Sequence, residues 1–167
     1  YQEGLKKGKR VLSAYWDVYR KTWSKNSKAE YAIRDVHLGK IKLRGRIDRI
    51  DFLPDGGTHV VDYKFKKPGA RDEKQYRQLT FYKLLIDRGT SWRMKSGEIN
   101  FLEADVRTGQ FKTQLYAPSE AEVKSLEVEI KRVTAEILDL KFFTQGCREK
   151  KCRYCNLALI RSNEGVV

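Results

Sequence analysis

Asp62 and Lys64 lie two residues apart in the run Val60-Val61-Asp62-Tyr63-Lys64. On a strand that spacing sends both side chains to one face. A charge beside Val60 and Val61 is costly unless it is paired or bound to a metal. A second carboxylate, Asp48, stands in Gly45-Arg46-Ile47-Asp48-Arg49-Ile50-Asp51, upstream of a Pro54-Asp55-Gly56-Gly57 turn. In suitable register Asp48 and Asp62 come side by side, and a divalent cation relieves their repulsion. Oxygen ligands with several retained waters suit Mg²⁺, with Mn²⁺ as a substitute, and the carbonyl of Tyr63 offers a further ligand. A metal held there could acidify a water and stabilise charge on a scissile phosphate. Lys64 would orient the attacking water or neutralise developing charge. The competing reading is a set of sheet-surface ion pairs, Asp48 with Arg46 or Arg49 and Asp62 with Lys64. Asp51, three residues from Asp48, points to the opposite strand face and reads as structural.

A third feature is Gln78-Leu79-Thr80-Phe81-Tyr82, where a spacing of four puts Gln78 and Tyr82 on one helical face. Each motif alone is a weak signal, but the ordered set of strand, strand and helix is a strong one. It resembles the metal-binding core of RecB-like PD-(D/E)XK nucleases, similar to the C-terminal nuclease modules of UvrD-type and RecB-type helicases and to AddB-like relatives. The resemblance implies an α/β, restriction-endonuclease-like core, a mixed β-sheet flanked by helices. It implies that Asp48, Asp62 and Lys64 carry catalysis, and that Asp48, Asp62 and the Tyr63 carbonyl hold Mg²⁺ or Mn²⁺. Gln78 and Tyr82 would face the site and contact DNA or position Lys64, with Lys66, Lys67 and Arg71 as further DNA contacts. Glu30 matches an acidic position that often precedes the family's core, where it assists the metal or caps the sheet. The implied activity is that of a metal-dependent deoxyribonuclease in a helicase–nuclease of DNA recombination and repair. The implied partners are DNA, plausibly single-stranded, and a helicase domain upstream or in a complex. The alternative is a catalytically weak module that binds DNA or docks a partner.

Two departures from the family bear on activity. Many relatives carry a metal-binding His on a helix ahead of the core, whereas His37 and His59 fall on expected strands and read as ordinary strand histidines. Without that His the isolated chain is expected to have low activity. Some relatives also bind a 4Fe–4S cluster through four Cys. Here only Cys147, Cys152 and Cys155 are present, in the pattern Cys-x4-Cys-x2-Cys. Three thiolates do not close a tetrahedral Zn²⁺ or cluster site. The favoured reading is a degenerate tail docked by Tyr154 and Leu157; the alternative is a Zn²⁺ ion or 4Fe–4S cluster at Cys147, Cys152 and Cys155 in the full protein. Gly4 to Arg10 is one residue short of a phosphate-binding loop and lacks its Ser or Thr, so no ATP motor is expected.

Positioning these residues requires an order of elements. Residues 1–24 read as a helix, with Leu5, Leu12, Tyr15, Trp16, Tyr19 and Trp23 as an apolar stripe that makes core contacts rather than a base-stacking platform. Residues 29–37, 40–52 and 58–65 read as three strands of an antiparallel meander. Residues 71–87 read as a helix, and residues 98–105 and 111–116 as two more strands. Ser119 and Glu122 form a capping-box pattern ahead of a long helix. Val123, Leu126, Ile130, Val133, Ile137 and Leu140 then make an apolar seam whose default meaning is core packing. A nuclease core over residues 1–145 and a Cys-bearing tail over 146–167, packed on the core, are expected.

The bulk numbers agree. The chain has 167 residues, 40% of them hydrophobic, which suits one compact domain with a real core. A formal charge of +13, from 35 Lys and Arg against 22 Asp and Glu, favours a polyanionic partner. Residues 1–28 concentrate the excess, with Lys6, Lys7, Lys9, Arg10, Arg20, Lys21, Lys25 and Lys28 against Glu3 and Asp17. No apolar run approaches the roughly 18 residues that would span a bilayer. The clustered, odd cysteines argue against a disulfide framework. A piece of a longer, cytoplasmic protein is the expectation.

Overall fold

The computed structural model describes residues 2–70 and 72–141, together with 149, 152 and 155. Its elements are α1 (Gln2–Tyr19), β1 (Ser27–Leu38), β2 (Ile41–Phe52), β3 (Thr58–Lys64), α2 (Glu73–Gly89), β4 (Met94–Phe101), β5 (Thr113–Tyr116) and α3 (Glu120–Leu138). The chain divides into two compact units, residues 1–126 and 127–167. Arg71 and Cys147, and the tail anchors Tyr154 and Leu157, lie outside the described residues.

The five strands form one sheet in the order β1-β2-β3-β4-β5. The β1-β2-β3 meander is antiparallel, β3 and β4 run parallel, and β4 and β5 are antiparallel. This is the expected mixed sheet with helices. The parallel step follows from the long connection between β3 and β4, which carries α2. The β2–β3 turn closes as its composition predicts: Gly56 adopts φ +79°, and Gly57 N–H donates to Asp55 Oδ1 at 3.0 Å.

Helix α2 starts at Asp72, whose carboxylate accepts the Lys74 amide at 3.0 Å. Its apolar face, Leu79, Tyr82, Leu85 and Ile86, packs with Ile33, Ile47, Ile50, Val60, Ile99 and Phe101 in the core. The fit against β2 is close at Gly45: a Cβ there would lie 2.5 Å from Leu85 Cδ1. Lys83, on the same helix, is buried and tied to Asp87 at 2.7 Å, Glu120 at 3.0 Å and the Met94 carbonyl at 3.1 Å. The capping box forms: Ser119 N–H donates to Glu122 Oε2 at 2.8 Å, and Glu122 N–H to Ser119 Oγ at 3.2 Å.

Several boundaries and faces differ from expectation. β4 begins at Met94, not Glu98, because Ser96 and Gly97 are held by pairing with His59 and Val60 despite their poor strand propensity. β5 begins at Thr113, two residues after Phe111, whose ring instead packs on Tyr15 and Tyr19. α1 ends at Tyr19, and of its apolar stripe only Tyr15 is buried, while Leu5, Leu12 and Trp16 are exposed. In α3 the seam is buried at Val123 and Leu126, but Val133, Ile137 and Leu140 are exposed. Periodicity shows which residues share a helix face; it does not show what covers that face.

Candidate active site

The ladder between β2 and β3 runs from Phe52↔Thr58 to Arg49↔Val61. One step further, Asp48 stands opposite Asp62, on the face shared with Ile50 and Val60 and turned toward α2. There a side chain takes over from the backbone ladder: the Tyr63 amide donates to Asp48 Oδ2 at 2.9 Å. β3 meanwhile stays paired with β4 through Lys64↔Phe101. Of the ion-pair alternative, the Asp62–Lys64 pair forms, at 2.7 Å, whereas neither Arg46 nor Arg49 turns to Asp48. Arg46 instead reaches Glu30 at 3.4 Å, and Arg49 reaches Asp51 at 3.0 Å.

Asp62 is 1% exposed. Burial raises its carboxyl pKa and the charge on Asp48 adds to that; Lys64 and Tyr82 oppose the rise without cancelling it. Three side chains close a ring with it. Lys64 Nζ lies 2.7 Å from Asp62 Oδ2 and donates to Gln78 Oε1 at 2.8 Å. Gln78 Nε2 donates to the Tyr82 hydroxyl at 2.7 Å, and that hydroxyl points back to Asp62 Oδ1 at a long 3.4 Å. Tyr82 is itself buried, which with the nearby Asp62 carboxylate pushes its pKa well above the usual phenol value. The structure therefore brings together Asp48, Asp62, Lys64, Gln78 and Tyr82.

Other expected site residues are placed differently. Lys66 and Lys67 follow on the exposed segment after β3, with Lys66 Nζ 3.8 Å from Asp72. Glu30 has a left-handed backbone, φ +51°, and its exposed side chain is turned to Arg46 rather than gathered with Asp48 and Asp62. Among the described residues no three His, Cys, Asp or Glu side chains gather as a metal-ligand set, either here or at Cys152 and Cys155.

Asp48 and Asp62 still suit a hard cation. Asp62 Oδ2 is buried and accepts no well-aligned hydrogen bond; the ammonium of Lys64, near but poorly angled, is the positive charge that complements it. Two carboxylates with a strand carbonyl, the rest of the shell being water, are what Mg²⁺ prefers.

Sequence reasoning missed a polar cluster on the other sheet face. Arg49, Asp51, His59, Glu98 and Asn100 line a cleft there with Tyr15, Tyr19 and Trp23. The available signal was alternation: Arg49, Asp51 and His59 are polar residues on strands whose intervening positions are core.

Solved structures share this fold. The chain matches the crystal structure of SSO0001 with a TM-score of 0.52 at 18% identity, covering 90% of this chain and 65% of that one. It matches a Eubacterium rectale protein described as an exonuclease with a TM-score of 0.59 at 12% identity, covering 96% of this chain and 66% of that one. The chain thus spans just under two thirds of the length of each. Among curated protein sequences none matches it significantly. The family model described as the PD-(D/E)XK nuclease superfamily matches residues 2–160, and together with the paired carboxylates and the Lys64 ring this places the chain in that superfamily.

Proposed function

We propose that this chain is a Mg²⁺-dependent deoxyribonuclease module, cytoplasmic and working beside a helicase in recombination and repair. The observation that carries the reading is Asp48 facing Asp62, with Lys64 held at the same place by Asp62 and Gln78. Asp48, Asp62 and the Tyr63 carbonyl would hold the cation. When bound, a divalent cation supplies an acidified water and neutralises charge on the phosphate. Lys64 would present its ammonium to the attacking water or to a phosphate oxygen. Gln78 keeps that ammonium oriented, and the Tyr82 hydroxyl fixes the rotamer of Gln78. Lys66, Lys67 and Arg71 would neutralise flanking phosphates, in keeping with the chain's charge of +13. The helicase partner rests on the RecB-like motif order.

The test is cleavage of labelled single- and double-stranded DNA with Mg²⁺ or Mn²⁺, beside Lys64→Ala and an EDTA control. Cleavage that falls at least about 100-fold in Lys64→Ala, the scale for removing one preorganised donor, and vanishes in EDTA supports the reading. Cleavage of equal rate in Lys64→Ala would refute it.

A further inference from the structure

Beneath α1, on the sheet face away from the carboxylates, lies a cleft of about 310 Å³. That volume is in the range of small-molecule sites. Its walls are aromatic. Tyr15 and Tyr19 stack with ring centroids 4.5 Å apart, and Trp23 lies 6.4 Å from Tyr15 at an interplanar angle of 32°. Its floor is polar. Arg49 forms a two-pronged pair with Asp51, both contacts being 3.0 Å. His59 Nδ1 lies 2.8 Å from Ser96 Oγ, its other nitrogen lies 3.8 Å from Glu98, and Asn100 Nδ2 donates to Glu98 at 3.0 Å.

The chemistry of the floor narrows the ligand. Arg49 and Asp51 neutralise one another, and His59 with Glu98 leaves at most one net negative charge, so nothing there attracts a phosphate. No three His, Cys, Asp or Glu side chains gather among the described residues, so the floor is not a metal cage either. What remains is a neutral, flat ligand that carries both donors and acceptors. Five polar atoms of the lining residues lack a well-aligned hydrogen bond; Arg49 Nε and Asp51 Oδ1 lie 3.0 Å from one another, which leaves the Tyr15 hydroxyl, Trp23 Nε1 and Asn100 Oδ1. Tyr15 and Asn100 are 4% and 3% exposed, where an unmet hydrogen bond costs on the order of 1–3 kcal/mol. These atoms comprise a donor, an acceptor and a hydroxyl that is both, each screened from bulk water.

We propose that this cleft binds a nucleobase, stacked against Tyr19 and Trp23 and hydrogen-bonded to Asn100 and the Tyr15 hydroxyl. Base stacking on such rings tolerates any base, and the polar edge groups discriminate among them. The base arrives either as a free nucleoside or turned out from a strand. The inference depends on the nuclease reading only for the choice of ligand class, since the cleft and the Asp62 ring occupy opposite faces of β3.

The experiment is isothermal titration of the chain with adenosine, guanosine, cytidine and thymidine, and with a short single strand beside its abasic counterpart. The proteins are the wild type, Trp23→Leu, Thr113→Arg and Lys64→Ala, each checked for native circular dichroism. Thr113 is exposed at the cleft mouth, so Thr113→Arg blocks entry without touching the core if Trp23→Leu fails to fold. Binding that weakens roughly tenfold in Trp23→Leu, the scale of a lost base–aromatic stack, is lost in Thr113→Arg and persists in Lys64→Ala is the expected result. Nucleoside binding marks the free source; preference for the intact over the abasic strand marks the strand source. Two results overturn the proposal: no nucleoside binding together with equal affinity for both strands, or binding that Lys64→Ala removes and Thr113→Arg leaves intact. Cleavage by a wild type that binds no base would sink this inference and leave the nuclease reading standing.

Discussion

The ring through Lys64 makes a prediction about how mutations combine. Gln78 holds the Lys64 ammonium at 2.8 Å, and a hydrogen bond to a charged group contributes about 1.5–3 kcal/mol. If that bond exists to orient Lys64 in the transition state, Gln78→Ala lowers kcat by about 10- to 150-fold. Tyr82 reaches Lys64 only through Gln78, by a neutral bond of 2.7 Å that contributes about 0.5–1.5 kcal/mol. Its direct reach to Asp62 is 3.4 Å and adds little. Tyr82→Phe alone is therefore expected to lower kcat by about 2- to 13-fold. In the Gln78→Ala background the path from Tyr82 to Lys64 is already cut, so adding Tyr82→Phe costs almost nothing more. The assay is single-turnover cleavage of a labelled oligonucleotide at saturating Mg²⁺, with KM for DNA measured in parallel. A positioning role leaves KM nearly unchanged in both single variants. Additive losses in the double variant would refute the ring. KM effects larger than kcat effects would show that Gln78 and Tyr82 hold DNA directly.

Two further predictions come from burial. Asp62 has a raised pKa, so between 3.8 and its folded value the native chain holds more proton than the unfolded chain; stability falls as pH rises through that window and stays lower above it. Asp62→Asn removes the cost, so metal-free melting at pH 7 should rise by about 0.5–2 kcal/mol, or a few degrees, while cleavage is lost and the stability gain fades below the window; a lower melting temperature at pH 7 would contradict this. At Gly45, a Cβ would sit 2.5 Å from Leu85 Cδ1, so Gly45→Ala should cost about 1–3 kcal/mol in urea unfolding and Leu85→Val should recover part of it; a cost unchanged by Leu85→Val would show that the strain lies elsewhere.

The parts of the site legible in the sequence were those set by local period. Asp62 and Lys64 share a face because strands alternate, and Gln78 and Tyr82 share one because helices repeat near four. The β2–β3 turn was legible through Asp55, Gly56 and Gly57. Long-range partners were not. Glu30 lies one step from pairs that would set it opposite Asp48, yet a left-handed φ of +51° and the neighbouring Arg46 divert its carboxylate outward. Trp16 and Val133 look like core residues by period and are exposed, because burial depends on what another element covers. The cleft under α1 was hidden for the same reason: Tyr15 meets Tyr63 and Phe111 across a long stretch of chain.

On the proposed reading a strand junction, rather than a loop, would carry the chemistry. β3 keeps its ladder with β4 as far as Lys64, so the positions of Asp62 and Lys64 are fixed to within the tolerance of a central strand. On its other side the ladder with β2 ends at Val61, and the amide of Tyr63 is satisfied by the Asp48 carboxylate instead of a backbone carbonyl. One bond thus does two things: it satisfies a backbone donor that the sheet has released, and it anchors the first carboxylate beside the second. Tyr63 sends its own ring to the far face, against Tyr15 and Arg49, where the aromatic cleft lies. A single residue between Asp62 and Lys64 therefore touches both faces, its amide on Asp48 and its ring on Tyr15 and Arg49.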